Sequence, residues 1–438
     1  MSANHALATP MGCAGIVAVL LAASPASALQ PLELFVASAR DHNPDSLEAR
    51  ANLSQQSAQA DAALGRALPG ISARGTYGRN QYESRFTIAL PGAPVQSSVI
   101  TPLDQWNGSA TLNVPLVDLA SFRRIDAARS SASGAERQLA ATRLQVEGQV
   151  VQEYYQLVAN LALVAASQRA LEVSREGLRL AEARFRAGVA PALDVDRARA
   201  DVEQQVQQLA SAQLQVALTA RALTSSSGIA PDASVAVELA DDLHTEPELS
   251  TFETGLPELP SVASAALGMR AAEQQADAQR FALLPSLSGS LTEYGTNTPG
   301  FGAHDGYFQA GLTLSWSLDL TSFANIRGQD AAAEAARARE LRTRLIAGDA
   351  IHAQWNRVAA GIARSRSARA GREAAAHAAE MSRERYQAGT ATQLDLLQAQ
   401  RDAFAAEVAR IQADADLVNA RAQLRLSSGH SLLAANES

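Results

Sequence analysis

Cysteine is nearly missing from this chain of 438 residues, and lysine is missing altogether. The one cysteine, Cys13, falls in an N-terminal segment that reads as a secretory leader, so the trimmed chain would form no disulfide. All 37 basic residues are arginine, which a GC-rich coding bias explains without any special guanidinium chemistry. A formal charge of −8 argues against a nucleic-acid surface. Beyond the leader no stretch approaches the ~18–20 apolar residues of a membrane-spanning helix. Catalytic signatures are lacking too. The 7 histidines are scattered without metal-ligand spacing, and there is no phosphate-binding loop, no Gly-x-Ser-x-Gly elbow and no dinucleotide fingerprint after a strand. Neither an enzyme nor a cofactor nor a bound metal is expected.

The leader covers residues 1–28. An apolar run from Ile16 to Ala23 precedes Ala26-Ser27-Ala28, the small-x-small pattern of a cleavage site, although no basic residue comes before it. Cys13 precedes the apolar run instead of following it, which argues against a lipid-acceptor role. The chain is exported and carries no helical span.

What is present is a duplication. Arg184-Phe185-Arg186-Ala187-Gly188-Val189, with Leu193-Asp194 after it, returns as Arg385-Tyr386-Gln387-Ala388-Gly389-Thr390 and Leu394-Asp395, 201 positions later. Asp118-Leu119-Ala120-Ser121-Phe122 returns at the same offset as Asp319-Leu320-Thr321-Ser322-Phe323, and Ser226-Ser227-Gly228 as Ser427-Ser428-Gly429. Residues 111–228 and 312–429 therefore align without a gap, as two copies of one module. The expected organisation is a first repeat over 29–228, an acidic proline-containing linker over 229–260, a second repeat over 261–429 and a tail over 430–438.

Proline marks the joints. None of the 16 lies between Pro115 and Pro191, between Pro191 and Pro231, or after Pro299. Within these runs apolar residues recur every seven positions: Val150, Leu157, Val164, Leu171, Leu178 and Phe185, then Val195, Val202, Leu209, Val216 and Leu223. Leu397, Phe404, Ile411 and Val418 repeat the pattern in the second copy. That spacing is a coiled-coil seam between long antiparallel helices. Helices over 119–185 and 320–386 would each run roughly 100 Å at ~1.5 Å per residue. Shorter helices over 31–68, 192–227, 261–284 and 392–428 complete the halves.

Alternation of apolar and polar residues replaces the helical period over 71–84, 105–117, 287–296 and 306–318, clearest at Leu312, Leu314, Trp316 and Leu318. Each repeat thus holds one two-stranded hairpin with strands close to the ~9–11 residues that cross a bilayer. Trp106, Trp316, Tyr77, Tyr82, Tyr294 and Tyr307 are candidates for an interfacial aromatic girdle. Gly/Pro-rich stretches at 90–94 and 297–302 read as loops. Four strands cannot close a barrel, and open edges do not persist in lipid, so strands that enter a membrane require several chains in one barrel.

The aromatic-x-Ala-Gly turn, its Leu-Asp, the Ala/Gln-rich helix closing on Leu-x-x-Ser-Ser-Gly, Asp41-His42-Asn43-Pro44 and Leu283-Leu284-Pro285-Ser286-Leu287 together resemble the TolC-type outer-membrane efflux proteins. The resemblance spans the mature chain in both halves. It implies a homotrimer: a 12-stranded β-barrel in outer-membrane lipid, continued across the periplasm by an α-barrel. Such a protein is a passive exit duct of a tripartite efflux or type I secretion system. It docks to a periplasmic adaptor and, through it, to an inner-membrane pump. Carried over by position, Asp194, Asp395 and Gln398 fall at the pore constriction. Gln398 replaces an acidic residue of better-studied relatives. Arg186, Gly188, Val189, Gln387, Gly389 and Thr390 fall on the turns that touch the adaptor.

Plainer readings stand beside these. Thr392-Gln393-Leu394-Asp395 also fits a capping box, and Asp194 follows Pro191 in a first helical turn. Gly188 and Gly389 fit helix C-caps. Tyr154 and Trp355 read as packing residues between helices. The alternative architecture is a pore-free periplasmic coiled-coil scaffold or adaptor.

Overall fold

The computed structural model describes residues 29–433 except 89, 90, 93, 234–238, 240 and 299–303. The leader with Cys13, parts of both Gly/Pro-rich loops and the end of the tail lie outside the described residues. The chain opens with α1 (Leu32–His42) and α2 (Pro44–Arg66). Between them Asn43 accepts the Asp45 N–H at 2.9 Å and Pro44 takes the first helical position, so the helix restarts there.

A sheet in the order β1-β4-β5-β6 joins the two repeats: β1 (Gly70–Arg79), β4 (Asp104–Val117), β5 (Ser286–Thr296) and β6 (Gly306–Ser315). All neighbours are antiparallel. The stretch expected as a plain loop in the first repeat folds as a separate two-stranded ribbon, β2 (Ser84–Ile88) with β3 (Gln96–Thr101). Its Arg85-Phe86-Thr87-Ile88 alternates like a strand, a signal masked by the prolines and glycine that follow it. β6 stops at Ser315, short of the expected 318. Trp316 instead donates its indole N–H to the Leu283 carbonyl at 3.0 Å. Pro115 pairs with Ser288 and Val117 with Leu287, so Leu116 is a bulge in β4; its aligned counterpart, Ser317, lies beyond the end of β6.

Two helices of 68 residues each dominate, α3 (Leu119–Arg186) and α7 (Leu320–Gln387). Their starts are set by aspartate caps: Asp118 accepts Ser121 N–H at 2.9 Å and Asp319 accepts Ser322 N–H at 2.7 Å. α4 (Ala192–Ser227) returns along α3, and α8 (Gln393–Ser427) along α7. α6 (Pro260–Phe281) lies between α3 and α7 on the sheet side, while α8 takes that place toward the turns. The heptad seam is buried at Val150, Leu157, Leu171 and Leu223 but loosens toward the turn, where Phe185 is exposed.

The linker holds a short α5 (Leu249–Glu253) and lies against α7 and α8. Arg421 of α8, only 6% exposed, reaches it with bonds to both carboxylate oxygens of Asp241 at 2.8 and 3.1 Å, to Glu246, and to the His244 carbonyl at 2.6 Å. Trp355 donates to the Pro247 carbonyl at 2.9 Å. Leu243 adopts φ of 58°, a left-handed conformation costly for a bulky residue, while its side chain packs against the cluster around Ile351, Val358 and Leu417. Tyr154 packs against Phe35 with ring centroids 5.8 Å apart, in keeping with a packing role.

Candidate functional site

The two helix–helix turns lie side by side at the end of the molecule opposite the sheet. Each is a Schellman turn. Val189 N–H returns to the Arg184 carbonyl at 3.0 Å and Thr390 N–H to the Arg385 carbonyl at 2.9 Å. Gly188 and Gly389 have φ of 74° and 79°, which a side chain would strain, so both aligned glycines are backbone requirements. Arg186, Val189, Gln387 and Thr390 are exposed around them.

The aligned aspartates are not equivalent. Asp395 closes a full capping box: it accepts Thr392 N–H at 3.0 Å and Thr392 Oγ at 2.7 Å, while Thr392 Oγ accepts Asp395 N–H at 3.2 Å. The hydroxyl and then the backbone bond hold the Asp395 carboxyl below its ordinary 3.8. The cap therefore contributes fully above that pH and is lost only as pH falls through the lowered value. Thr392→Ala should cost about 1 kcal/mol of local helix stability, seen as faster amide exchange in the first turn of α8. Asp194 has no such box and faces Arg197 at 3.8 Å. Gln398, one turn beyond Asp395, donates to Asp402 at 2.9 Å.

One joint links the turns, and no local pattern in the sequence marks it. The Arg184 guanidinium lies 4.6 Å from the centroid of the Tyr386 ring and donates to the Tyr386 carbonyl. Tyr386 is 2% exposed, and its hydroxyl has no hydrogen-bond partner among the described residues. Burial raises the pKa of that hydroxyl, Arg184 opposes, and nearby Asp194 adds to the rise. Above the joint the hairpins are riveted at two carboxylates, a buried one on Asp201 and a half-buried one on Glu407. Asp201 of α4 accepts Ser174 Oγ at 2.8 Å and Arg401 Nε of α8 at 3.2 Å. Glu407 of α8 meets Arg372 at 3.1 Å and Arg169 at 3.6 Å.

At the other end of the molecule, Tyr77 pairs with Trp106 and Tyr294 with Tyr307 across the strands, the latter stacked at 5.0 Å. Trp316 sits at the helix end of the sheet, so the aromatic candidates fall at two levels. Among the described residues, Asp241, Asp242 and His244 are grouped closely enough to hold a cation. Arg421 already occupies that place, with Nη1 2.9 Å from His244 Nε2.

Over residues 35–229 and 256–430, one stretch in each repeat, the chain matches the family described as outer membrane efflux protein. The chain belongs to that family. It is an outer-membrane efflux channel that extends into the periplasm. Solved structures share the fold. The CmeC outer membrane channel of Campylobacter jejuni superposes with a TM-score of 0.78 at 20% identity, over 92% of this chain and 86% of that one. The MtrE outer membrane channel of Neisseria gonorrhoeae, in its open state, gives 0.72 at 18% identity, over 92% and 89%. The fusaric acid resistance protein FusA of Burkholderia cepacia is 26% identical over 214 residues, 47% of this chain and 38% of that protein. The chain therefore spans well under half of that relative's length.

Proposed function

We propose that three copies of the chain assemble into one continuous duct, a passive exit for cargo delivered by an inner-membrane pump through a periplasmic adaptor. The observation that supports this most is the sheet: four strands with β1 and β6 left as open edges. Lipid does not tolerate free edges, so β6 of one copy must pair with β1 of the next, and three copies give twelve strands. The alternation of strand directions makes that pairing antiparallel, like those within the chain.

The helices then form the periplasmic tube, and the paired turns narrow its far end. Asp194 and Asp395 repeat around the axis there and favour cations, with Gln398 adding no charge. The exposed turn residues Arg186, Gly188, Val189, Gln387, Gly389 and Thr390 are the surface offered to the adaptor. A scaffold without a pore would gain nothing from an open-edged sheet at one end.

The test is direct. The mature protein should fractionate with the outer membrane as a heat-sensitive trimer and conduct ions in planar bilayers; recovery only in soluble periplasmic extract would end the proposal. Asp194→Asn with Asp395→Asn should reduce cation preference severalfold by reversal potential. Because Asp395 is held below 3.8, the selectivity it provides should persist from pH 7 to pH 5. A reversal potential unmoved by the double substitution would remove both residues from the constriction.

A further inference from the structure

The duplication determines how one copy must meet the next. Inside the chain the first hairpin packs on the second through α3 against α8, whereas no comparable packing joins α4 to α7. The repeat carries α3 onto α7 and α8 onto α4. In a closed ring the outer face of α7 must therefore meet α4 of the following copy, as α3 meets α8.

Side chains support that mapping position by position. At the inner seam Ala159 and Ala166 of α3 are buried against Ile411 and Ala415 of α8. Their counterparts 201 positions away are Ala360 and Ser367 of α7 with Ala210 and Leu214 of α4, and all are exposed. Leu214 is 55% exposed, while its counterpart Ala415 is 6% exposed. The volumes also balance: three small residues and one large aliphatic on each seam, with the large one moved by a single helical turn. An exposed set that repeats a buried one in size is what an unfilled copy of the same interface looks like.

At the turns the same operation acts on the Arg184–Tyr386 joint. It maps Arg184 onto Arg385 and Tyr386 onto Phe185. Both counterparts are exposed, Phe185 at 48% against 2% for Tyr386, and Arg385 makes no side-chain bond among the described residues. We propose that Arg385 of each copy stacks on Phe185 of the next, closing the mouth with a ring of six arginine–aromatic contacts, alternately within and between chains. A phenyl ring accepts a cation on its face as a phenol ring does, so losing the hydroxyl does not weaken this role. The between-chain contacts are the ones that separate when subunits move apart at the tip. This inference rests on the trimeric assembly proposed above.

Since the chain's one cysteine, Cys13, lies in the expected leader, cross-linking reads the contact cleanly. With Phe185→Cys and Arg385→Cys in one chain, a short bismaleimide added to purified protein should give covalent dimers and trimers on denaturing gels. Either substitution alone should give none. A heat-sensitive trimer on mild gels that yields no covalent oligomer overturns the contact and leaves the assembly standing. Absence of any trimer in the unsubstituted protein overturns the assembly itself. A second readout avoids the probe: Arg385→Ala should raise conductance severalfold and add to Arg184→Ala. Arg385→Ala conducting as the unsubstituted channel does would also overturn the contact.

Discussion

Arg184→Ala should widen the periplasmic mouth and raise single-channel conductance in planar bilayers. The substitution removes a cation resting on a buried aromatic face and a charge-assisted bond to the Tyr386 carbonyl, the joint between the two turns. Contacts of these kinds contribute ~1–3 kcal/mol when partly desolvated. If the closed mouth is favoured by an amount of that order, the open population should rise roughly 5- to 150-fold until it saturates. Arg184→Lys keeps the charge but loses the planar fork that stacks and donates together, so it should fall between. Tyr386→Phe is the informative control. Its hydroxyl is buried without a partner among the described residues, so the change should be near neutral or slightly closing. A large opening by Tyr386→Phe, with none by Arg184→Ala, would reverse the roles of ring and hydroxyl.

The second large effect should come far from the mouth. Arg421→Ala leaves Asp241 and Glu246 nearly buried and without their cation, with side chains 8% and 10% exposed. Breaking one side of a buried ion pair costs about 3–5 kcal/mol, because the remaining charges lose their solvation and their partner together. The loss should appear as protease nicking between residues 229 and 260 and a lowered melting temperature of the assembled oligomer, with conductance less affected. Arg421→Lys should recover only part, since a single ammonium cannot serve both Asp241 oxygens, Glu246 and the His244 carbonyl at once. Equal protease resistance of Arg421→Ala and the unsubstituted protein would mean that the linker is held chiefly by the Leu243 and Trp355 contacts.

Much of the fold is legible because its signals are local. Proline-free, alanine-rich runs bounded by Asp118, Asp319 and the turn glycines give the long helices, and alternation gives the four strands of the sheet. The β2–β3 ribbon escaped because its prolines and glycine carry the same signal as a loop. The Leu116 bulge escaped because a bulge leaves the sequence offset unchanged and is visible only in how β4 pairs with β5. For the site, the repeat identified both turns but treated them as equals. It could not show that Asp395 is engaged in a capping box while Asp194 is not, nor that Tyr386 is covered while Phe185 is bare.

By itself the sequence determined a duplicated, exported, helix-rich chain with membrane-length strands, since periodicity, capping and turn chemistry act over a few residues. Only the tertiary structure decided which copies of each duplicated feature face each other. Arg184 meets Tyr386 across 202 positions and Arg421 meets Asp241 across 180. Such contacts depend on how long rods pack, and two repeats alike in local signal differ only in what the fold sets against them.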